Sequence, residues 1–289
     1  MKKAVGVVLG LLPISVSAEC VPVPDCASIG YTETSCEGDS LKCPFDATKL
    51  KCFPCDSSFR YTCSGDNIKN PIGNACNNKY VSCECDTLKG YIFSNGECVC
   101  DVSCSVGNIY YSDGTCSSCY LSNKTPVGVI IKENELVINL TFAEMSYSPN
   151  GIDITNITNQ GNRSETYNDF AGKQHTLAMV EQFGANADTS TYAGIYCYNY
   201  APTGLETTKN NWYFPAIGEI HNYIYKNFAQ IQSTFVNKLN KSIDYTFWSS
   251  TELSGGDAWH ITAKSGYPHY NFYNQGKETI YYVLCMLEI

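Results

Sequence analysis

The sequence contains little positive charge. Its 289 residues include 19 lysines and arginines against 28 aspartates and glutamates, so the net charge is −9 and the isoelectric point is near 4.9. A protein that binds nucleic acid or an anionic membrane needs a basic surface that releases phosphate counterions. The composition provides no such surface, and it argues against both of these partners.

Long hydrophobic runs are also missing. The two apolar runs to consider as membrane-spanning segments are Ala4–Leu12, with nine residues, and Ile280–Ile289, with ten. A helix that crosses a bilayer needs about 20 apolar residues. The first run is too short to be an anchor and the second is better explained as a buried strand, so the sequence predicts no transmembrane segment.

The N-terminal run has the pattern of a secretory signal peptide. Two lysines precede the apolar residues, and the small residues Val16-Ser17-Ala18 follow them. Glu19 stands before Cys20, where a lipidated cysteine would have a small residue. We therefore expect residues 1–18 to be removed by cleavage near Ala18, and the mature protein to be secreted or located at the cell surface or in the periplasm.

Residues with the spacing of a catalytic or metal site are scarce. The four histidines, His175, His221, His260 and His269, have no metal-ligand spacing, and Ser249-Ser250 is not flanked by a nucleophile elbow. We therefore predict no catalytic residue, no metal and no cofactor, and we expect the protein not to be an enzyme.

The cysteines divide the chain. Fifteen of the 17 lie between Cys20 and Cys119. This stretch has too few apolar residues for a core, so we expect residues 19–122 to form a small, disulfide-stapled region of hairpins and loops. Zinc binding at the close pairs Cys52/Cys55 and Cys116/Cys119, or redox activity of the first pair, is the alternative. Export into an oxidising compartment favours disulfides.

A weak repeat lies inside this region. The segment Phe93–Cys98, with Asn95-Gly96, is echoed eighteen residues later by Tyr111–Cys116, with Asp113-Gly114. Asn-Gly and Asp-Gly supply the positive φ angles of a tight hairpin turn. Each copy is predicted to be a short hairpin that carries a cysteine on its returning strand.

Beyond residue 122 the pattern becomes that of a larger α+β domain, residues 123–289. A hairpin is predicted from Val127–Ile131 and the alternating residues 136–142, and a short helix at Gln174–Phe183. The intervening residues 146–172 are rich in Asn, Gly, Thr and Ser and predict a long loop. Further strands are expected at Thr246–Ser250, Ala258–Ala263 and Ile280–Ile289, the last one central and buried on both faces.

A long helix organises this domain. Pro215 suits the first position of a helix, and Glu219 lies in the first turn, where a carboxylate meets the positive end of the helix dipole. Apolar residues then recur every three or four positions and form one buried face. These residues are Ile217, Ile220, Ile224, Phe228, Ile231, Phe235 and Leu239. The helix is therefore predicted to pack on a sheet.

The same half of the chain resembles a known family. A Tyr196-Cys197 pair, the Trp212–Pro215 element before an acidic helix, the Trp248–Glu252 block and Cys285 in the last strand are similar to the bacterial secreted DUF1566 domains. These are also described as Legionella collagen-like C-terminal domains and belong to the C-type lectin-like fold. The resemblance implies that fold for about half of the chain, and it implies a disulfide between Cys197 and Cys285.

The resemblance also bears on ligands. The Glu-Pro-Asn, Gln-Pro-Asp and Trp-Asn-Asp motifs of calcium-dependent lectins are absent, so calcium-dependent sugar binding is not expected. Formylglycine-generating enzymes share the fold and use a reactive cysteine pair, but Cys197 and Cys285 match the structural positions. Because the resemblance points to a bacterium, we do not expect N-glycosylation at the five Asn-X-Ser/Thr sequons. The sequons are at Asn123, Asn139, Asn156, Asn162 and Asn240.

The segment Gly266–Gln275 is the predicted recognition surface. It interleaves aromatic rings with amides, the chemistry that antibody paratopes use, and in the resembling fold this region forms the ligand face. The predicted ligand-binding residues are Tyr267, His269, Tyr270, Asn271, Tyr273 and Asn274. The alternative is that these rings only line the sheet.

The sequence therefore predicts an exported binding or adhesion protein, with an unknown protein or glycan at a cell surface as its partner. The alternative is a structural envelope or matrix component without a discrete ligand. If Cys197 and Cys285 pair, fifteen cysteines remain and at least one lacks an intramolecular partner. Cys20, near the new terminus, is the candidate for a free thiol or for a disulfide-linked dimer.

Overall fold

A computed structural model of the chain describes residues 40–46, 49–54, 68–69, 84–94, 97–263 and 272–289. The chain divides into two compact units, residues 1–101 and residues 102–289. The architecture is mixed α+β, with several sheets and with disulfides. No helix in these described ranges combines the length and the apolar character that a membrane crossing requires.

The described part of the first unit consists of short antiparallel strand pairs. Strand β1 (Ser40–Asp46) pairs with β2 (Lys49–Pro54), β3 (Ile68–Lys69) pairs with β4 (Glu84–Cys85), and β5 (Tyr91–Ser94) pairs with β6 (Glu97–Cys100). The register of the last pair places Ser94 opposite Glu97, as a two-residue hairpin connection requires. Cys98 on the returning strand is bonded to Cys85.

The second copy of the repeat is also a hairpin, as predicted. Strand β7 (Ile109–Tyr111) pairs with β8 (Cys116–Ser117), and Gly114 in the connection has a φ of +80°, which a glycine adopts without strain. Cys116 on the returning strand is bonded to Cys104, and Cys119 is also disulfide-bonded. Disulfides, and not zinc, therefore account for the Cys116/Cys119 pair. The choice between disulfides, zinc binding and redox activity at Cys52 and Cys55 stays untested, because their side chains lie outside the described residues.

The second unit begins at Val102, earlier than the boundary at 122/123 that the cysteine distribution suggested. Residues 102–117 belong to it because β7 extends its main sheet, pairing with β9 (Pro126–Lys132). The Thr234 hydroxyl also donates to the Gly107 carbonyl at 2.5 Å. The cysteines mark where disulfides are needed, and backbone pairing sets where the larger unit starts.

Two sheets form the frame of the second unit. The six-stranded sheet has the order β12-β17-β10-β9-β7-β8, and the five-stranded sheet has the order β11-β16-β13-β14-β15. The strands not yet given are β10 (Leu136–Asn139), β11 (Ala143–Met145), β12 (Trp212–Tyr213), β13 (Thr246–Glu252), β14 (Asp257–Thr262), β15 (Phe272–Gly276), β16 (Tyr281–Val283) and β17 (Met286–Glu288). The neighbours pair antiparallel except for β13 and β16, which run parallel.

The predicted terminal strand is two strands in two different sheets. Strand β16 pairs with β11 and β13, and after Leu284-Cys285 the chain continues as β17 between β10 and β12. Residues 283–287 are fully or almost fully buried, so the expectation of a central segment covered on both faces is confirmed. A continuous apolar run has the same appearance whether it serves one sheet or two, which is why the break was not predicted.

The helices lie in two groups. Short helices α1 (Arg163–Thr166), α2 (Gly172–Phe183) and α3 (Ala193–Asn199) precede the long helix, residues 217–238. Helix α2 confirms the predicted short helix, while α1 and a 3-10 turn at Pro149–Gly151 interrupt the predicted loop. The long helix alternates α, π and 3-10 geometry. Its Asn222 and Asn227 amides donate to the carbonyls four residues earlier, which competes with the regular helix ladder.

The core has two parts, one on each side of the strands. The predicted stripe of the long helix packs in the first, against Leu136 and Ile138 of β10. The second contains Val137 of the same strand, helices α2 and α3, and the rings of Trp212 and Trp248. The alternating pattern predicted for residues 136–142 thus sends successive side chains to opposite cores, and this period of two is confirmed.

Candidate functional site

The Trp248–Glu252 block on β13 connects elements of the fold. Ser249 donates to the Trp259 carbonyl on β14 at 2.8 Å, and Thr251 donates to the Asp169 carboxylate at 2.6 Å. The Thr251 hydroxyl also accepts from the Ile217 backbone N–H at 3.0 Å, at the start of the long helix. All five side chains of the block are buried. The motif therefore fastens the helices to the sheet and offers no surface to a ligand.

Ser250, His175 and Asp169 lie close together without forming an acyl-transfer triad. The Ser250 hydroxyl is 3.0 Å from His175 Nδ1, and the Asp169 carboxylate is 3.9 Å from that same nitrogen. A triad needs the serine and the aspartate on opposite ring nitrogens. Burial lowers the pKa of His175, although Asp169 and Ser250 oppose this effect. The imidazole is therefore neutral at pH 7 and serves as a buried connection between α2 and β13.

Glu219 anchors the start of the long helix from within the protein. Its carboxylate accepts from the Ala216 N–H at 2.7 Å and from the Tyr213 hydroxyl at 3.1 Å. Burial raises the pKa of Glu219 to about 7, against these donors, which favour the charged form. The approach of α2 is so close that a Cβ at Gly172 would lie 2.3 Å from this carboxylate. A glycine is required there because any side chain would displace Glu219.

Lys277 and Glu252 form a fully buried ion pair. The Lys277 ammonium donates to Glu252 at 2.6 Å, to the Gly255 carbonyl at 2.8 Å and to the Ile152 carbonyl at 3.0 Å. All three of its protons are therefore used. Burial raises the pKa of Glu252, and the Lys277 ammonium limits that rise. The pair joins the ends of β13 and β15 to the loop at residue 152, so its role is structural.

The predicted recognition segment is only partly among the described residues. Tyr267, His269, Tyr270 and Asn271 lie outside them. Tyr273 and Asn274 lie on β15, which pairs with β14, so the part of the segment from Phe272 onwards is a strand and not the loop connection that was expected. Tyr273 is 50% exposed, and Asn274 and Gln275 are exposed beside it. The two predicted residues that can be placed therefore face solvent.

Strand β15 packs on a buried aromatic cluster through the ring of Tyr273. His260 on β14 lies 5.9 Å from the Tyr273 ring, 5.8 Å from Trp248 and 4.7 Å from Tyr281. Its Nδ1 atom is buried and forms no hydrogen bond with any described residue. Burial lowers the pKa of His260 to about 4. The half-exposed ring of Tyr273 therefore packs near a buried imidazole that is neutral at pH 7.

Acid is expected to weaken this support. The pKa of His260 in the folded protein lies below its ordinary 6.5, so its contribution to stability is complete above about pH 6.5 and is lost as the pH falls through about 4. We expect the Tm advantage of the wild type over His260→Phe to shrink between pH 7.5 and pH 4.5. The pKa values of Glu219 and Glu252 are raised in the folded protein, so these two groups stabilise the fold more as the pH falls. They are present in both the wild type and the His260→Phe variant, so their effect cancels in the comparison. A constant Tm difference would contradict the prediction.

The described residues contain no group of three or more His, Cys, Asp and Glu side chains that could hold a metal ion.

Among the sequons, Asn139 is fully buried on β10, and its side-chain oxygen accepts from the Cys285 N–H at 2.9 Å. A glycan at this position is incompatible with the fold. The asparagines of the other four sequons are exposed.

The comparisons with known proteins do not assign this chain to a family. No protein-family model matches the chain, and no curated protein matches it. Among solved structures, the chain is similar to a fimbrial protein from Bacteroides ovatus ATCC 8483, with 15% sequence identity and a TM-score of 0.47. The match covers 64% of this chain and 49% of the other, so the chain spans about half the length of that structure.

Proposed function

We propose that this chain is an exported binding or adhesion protein, whose second unit recognises a protein or glycan at a cell surface. The observation that carries the proposal is the exposure of β15. Tyr273 and Asn274 are exposed on opposite faces of this strand, which pairs with β14 and packs through the Tyr273 ring on the buried His260 cluster. A half-exposed tyrosine on a rigid support provides a large contact area at a low entropy cost.

The finer part of the proposal is a C-type lectin-like domain that binds without calcium. It is supported by the resemblance around Trp212–Pro215 and Trp248–Glu252, by the α+β architecture, and by the pairing of β17 with β10, which joins the two ends of the unit. Disulfides in both units favour an oxidising compartment such as the periplasm or the cell exterior.

An array of glycans and surface proteins tests the proposal. The full secreted chain is applied with calcium and with a chelator, and saturable binding that does not depend on calcium is expected. Reproducible absence of binding under both conditions would contradict recognition and favour the structural envelope or matrix component.

Replacing Tyr267, Tyr270 and Tyr273 together by serine is expected to abolish this binding. Solvent-exposed aromatic side chains contribute to an interface and little to folding, so the Tm should change by less than about 2 °C. Tyr120→Ser is the control, since Tyr120 is 48% exposed elsewhere in the second unit and should leave binding intact. A large loss of Tm with unchanged binding per folded molecule would show that the three tyrosines are core residues.

A further inference from the structure

A surface cleft opens in a part of the second unit that has no role in the proposed β15 surface. It has a volume of about 330 Å³ and lies where the turn after β9, the end of β17 and the start of the long helix meet. Nine residues line it: Lys132, Glu135, Leu136, Phe170, Tyr213, Glu219, Tyr223, Glu288 and Ile289. Its volume is at the lower limit for small-molecule sites.

Aromatic rings form one wall of the cleft. The Phe170 ring is 45% exposed and lies 6.2 Å from the Tyr223 ring, with an angle of 58° between the two planes. Tyr213 is buried in the floor, where its hydroxyl is held by Glu219. The hydrogen bond to Glu219 therefore fixes the Tyr213 ring in the floor, while the exposed face of the Phe170 ring remains available to a ligand.

The exposed charges of the cleft are already paired. Lys132 forms an ion pair with Glu135, and its ammonium lies 5.5 Å from the Tyr223 ring centre. Glu288 is paired with Lys173 at 2.5 Å. An anionic ligand finds no uncompensated cation among these residues and meets a protein of net charge −9. A cationic ligand finds the face of Tyr223 already occupied by Lys132. The remaining acidic group, Glu219, is buried in the floor and held by the Tyr213 hydroxyl and the Ala216 N–H, so the cleft offers no exposed, unpaired charge of either sign.

A hydroxyl group suits such ion pairs. It can accept from the lysine and donate to the carboxylate at the same time, and both hydrogen bonds are charge-assisted. A saccharide ring carries several hydroxyls around its edge and presents a face of C–H groups that can lie on an exposed aromatic ring. Phe170 offers that ring, while Glu135 in the turn before β10 and Glu288 on β17 lie at another side of the cleft.

We propose that this cleft is a second binding site, which takes a single neutral saccharide unit. Phe170 stacks on the sugar face, and the ion pairs Lys132–Glu135 and Lys173–Glu288 bind its hydroxyls. The site acts independently of β15, because its residues come from other segments of the chain.

Titration with simple sugars tests the site. The isotope-labelled full chain is titrated with methyl glycosides of glucose, galactose and mannose and with N-acetylglucosamine, and amide shifts are followed by NMR. At least one sugar should give saturable shifts at residues 132–136, 170–173 and 288–289, with a dissociation constant on the order of 1 mM. Phe170→Ala should weaken binding about tenfold or more, and Tyr120→Ala should not change it.

A carboxylate variant and a cationic probe test the remaining features of the site. Glu135→Gln, which removes one exposed carboxylate, should weaken binding severalfold without unfolding the protein. Absence of saturable shifts with all four sugars, or unchanged binding by Phe170→Ala, would overturn the proposal, as would binding of tetramethylammonium in preference to the sugars. The triple tyrosine variant should still bind the sugar, so failure of this site and failure of the proposed function can be told apart.

Discussion

Lys277→Met is expected to destabilise the second unit by about 3–5 kcal/mol. The substitution leaves the Glu252 carboxyl without its cation at a site with no solvent exposure, where it must either stay charged or take up a proton, and both cost stability. It also removes the donors to the Ile152 and Gly255 carbonyls. The double variant Lys277→Met with Glu252→Met should recover part of this loss, because no buried charge remains. Lys124→Met is the control. Its ammonium lies 2.8 Å from the exposed Asp113 carboxylate, and because solvent screens this pair its loss should cost much less than loss of the buried pair.

Tryptophan fluorescence during urea unfolding measures these effects in the full chain. The three tryptophans, Trp212, Trp248 and Trp259, all lie in the second unit and are all buried, so the signal reports on this unit alone. Equal stabilities of the Lys277 and Lys124 variants would show that the buried pair contributes no more than an exposed one.

Removing the disulfide between Cys197 and Cys285 is expected to have an effect of similar size. The bond closes a span of 88 residues, and the loop-entropy model assigns it about 4.6 kcal/mol. It joins α3 to the link between β16 and β17, where both cysteines are completely buried. The variant with both cysteines changed to alanine should therefore unfold at a much lower urea concentration.

The disulfide between Cys104 and Cys116 is the matched comparison. It closes only 12 residues, so the same model gives about 3 kcal/mol for its removal. Peptide mapping of the unreduced protein checks the connectivity itself. A peptide that links Cys197 or Cys285 to any other cysteine would refute the pairing, and a smaller loss for the 88-residue bond than for the 12-residue bond would contradict the entropy argument.

Elements with a uniform buried face could be predicted from the sequence. The stripe of the long helix and the alternation of β10 were correct because each contacts a core along its whole length. Strand β15 could not be predicted in this way. Tyr273, Asn274 and Gln275 are all exposed, so the strand lacks an apolar alternation and exists because β14 supplies hydrogen-bond partners. Such pairing between segments leaves no local pattern.

The cleft around Phe170 was beyond sequence reasoning for the same reason. Its lining comes from the turn after β9, the residues before α2, the long helix and the end of β17, and these segments are distant in the chain. The Trp248–Glu252 block is the opposite case. Its residues could be singled out as a motif, but their partners, among them His175 and Lys277, became visible only with the fold.

The division of residues 281–288 between two sheets has a consequence for folding. Strand β16 lies between β11 and β13 in one sheet, and β17 lies between β10 and β12 in the other. Neither sheet is complete until this short segment has paired with strands that are distant in the sequence. The completion of both sheets is therefore a late, non-local step, and the two sheets are expected to be completed together.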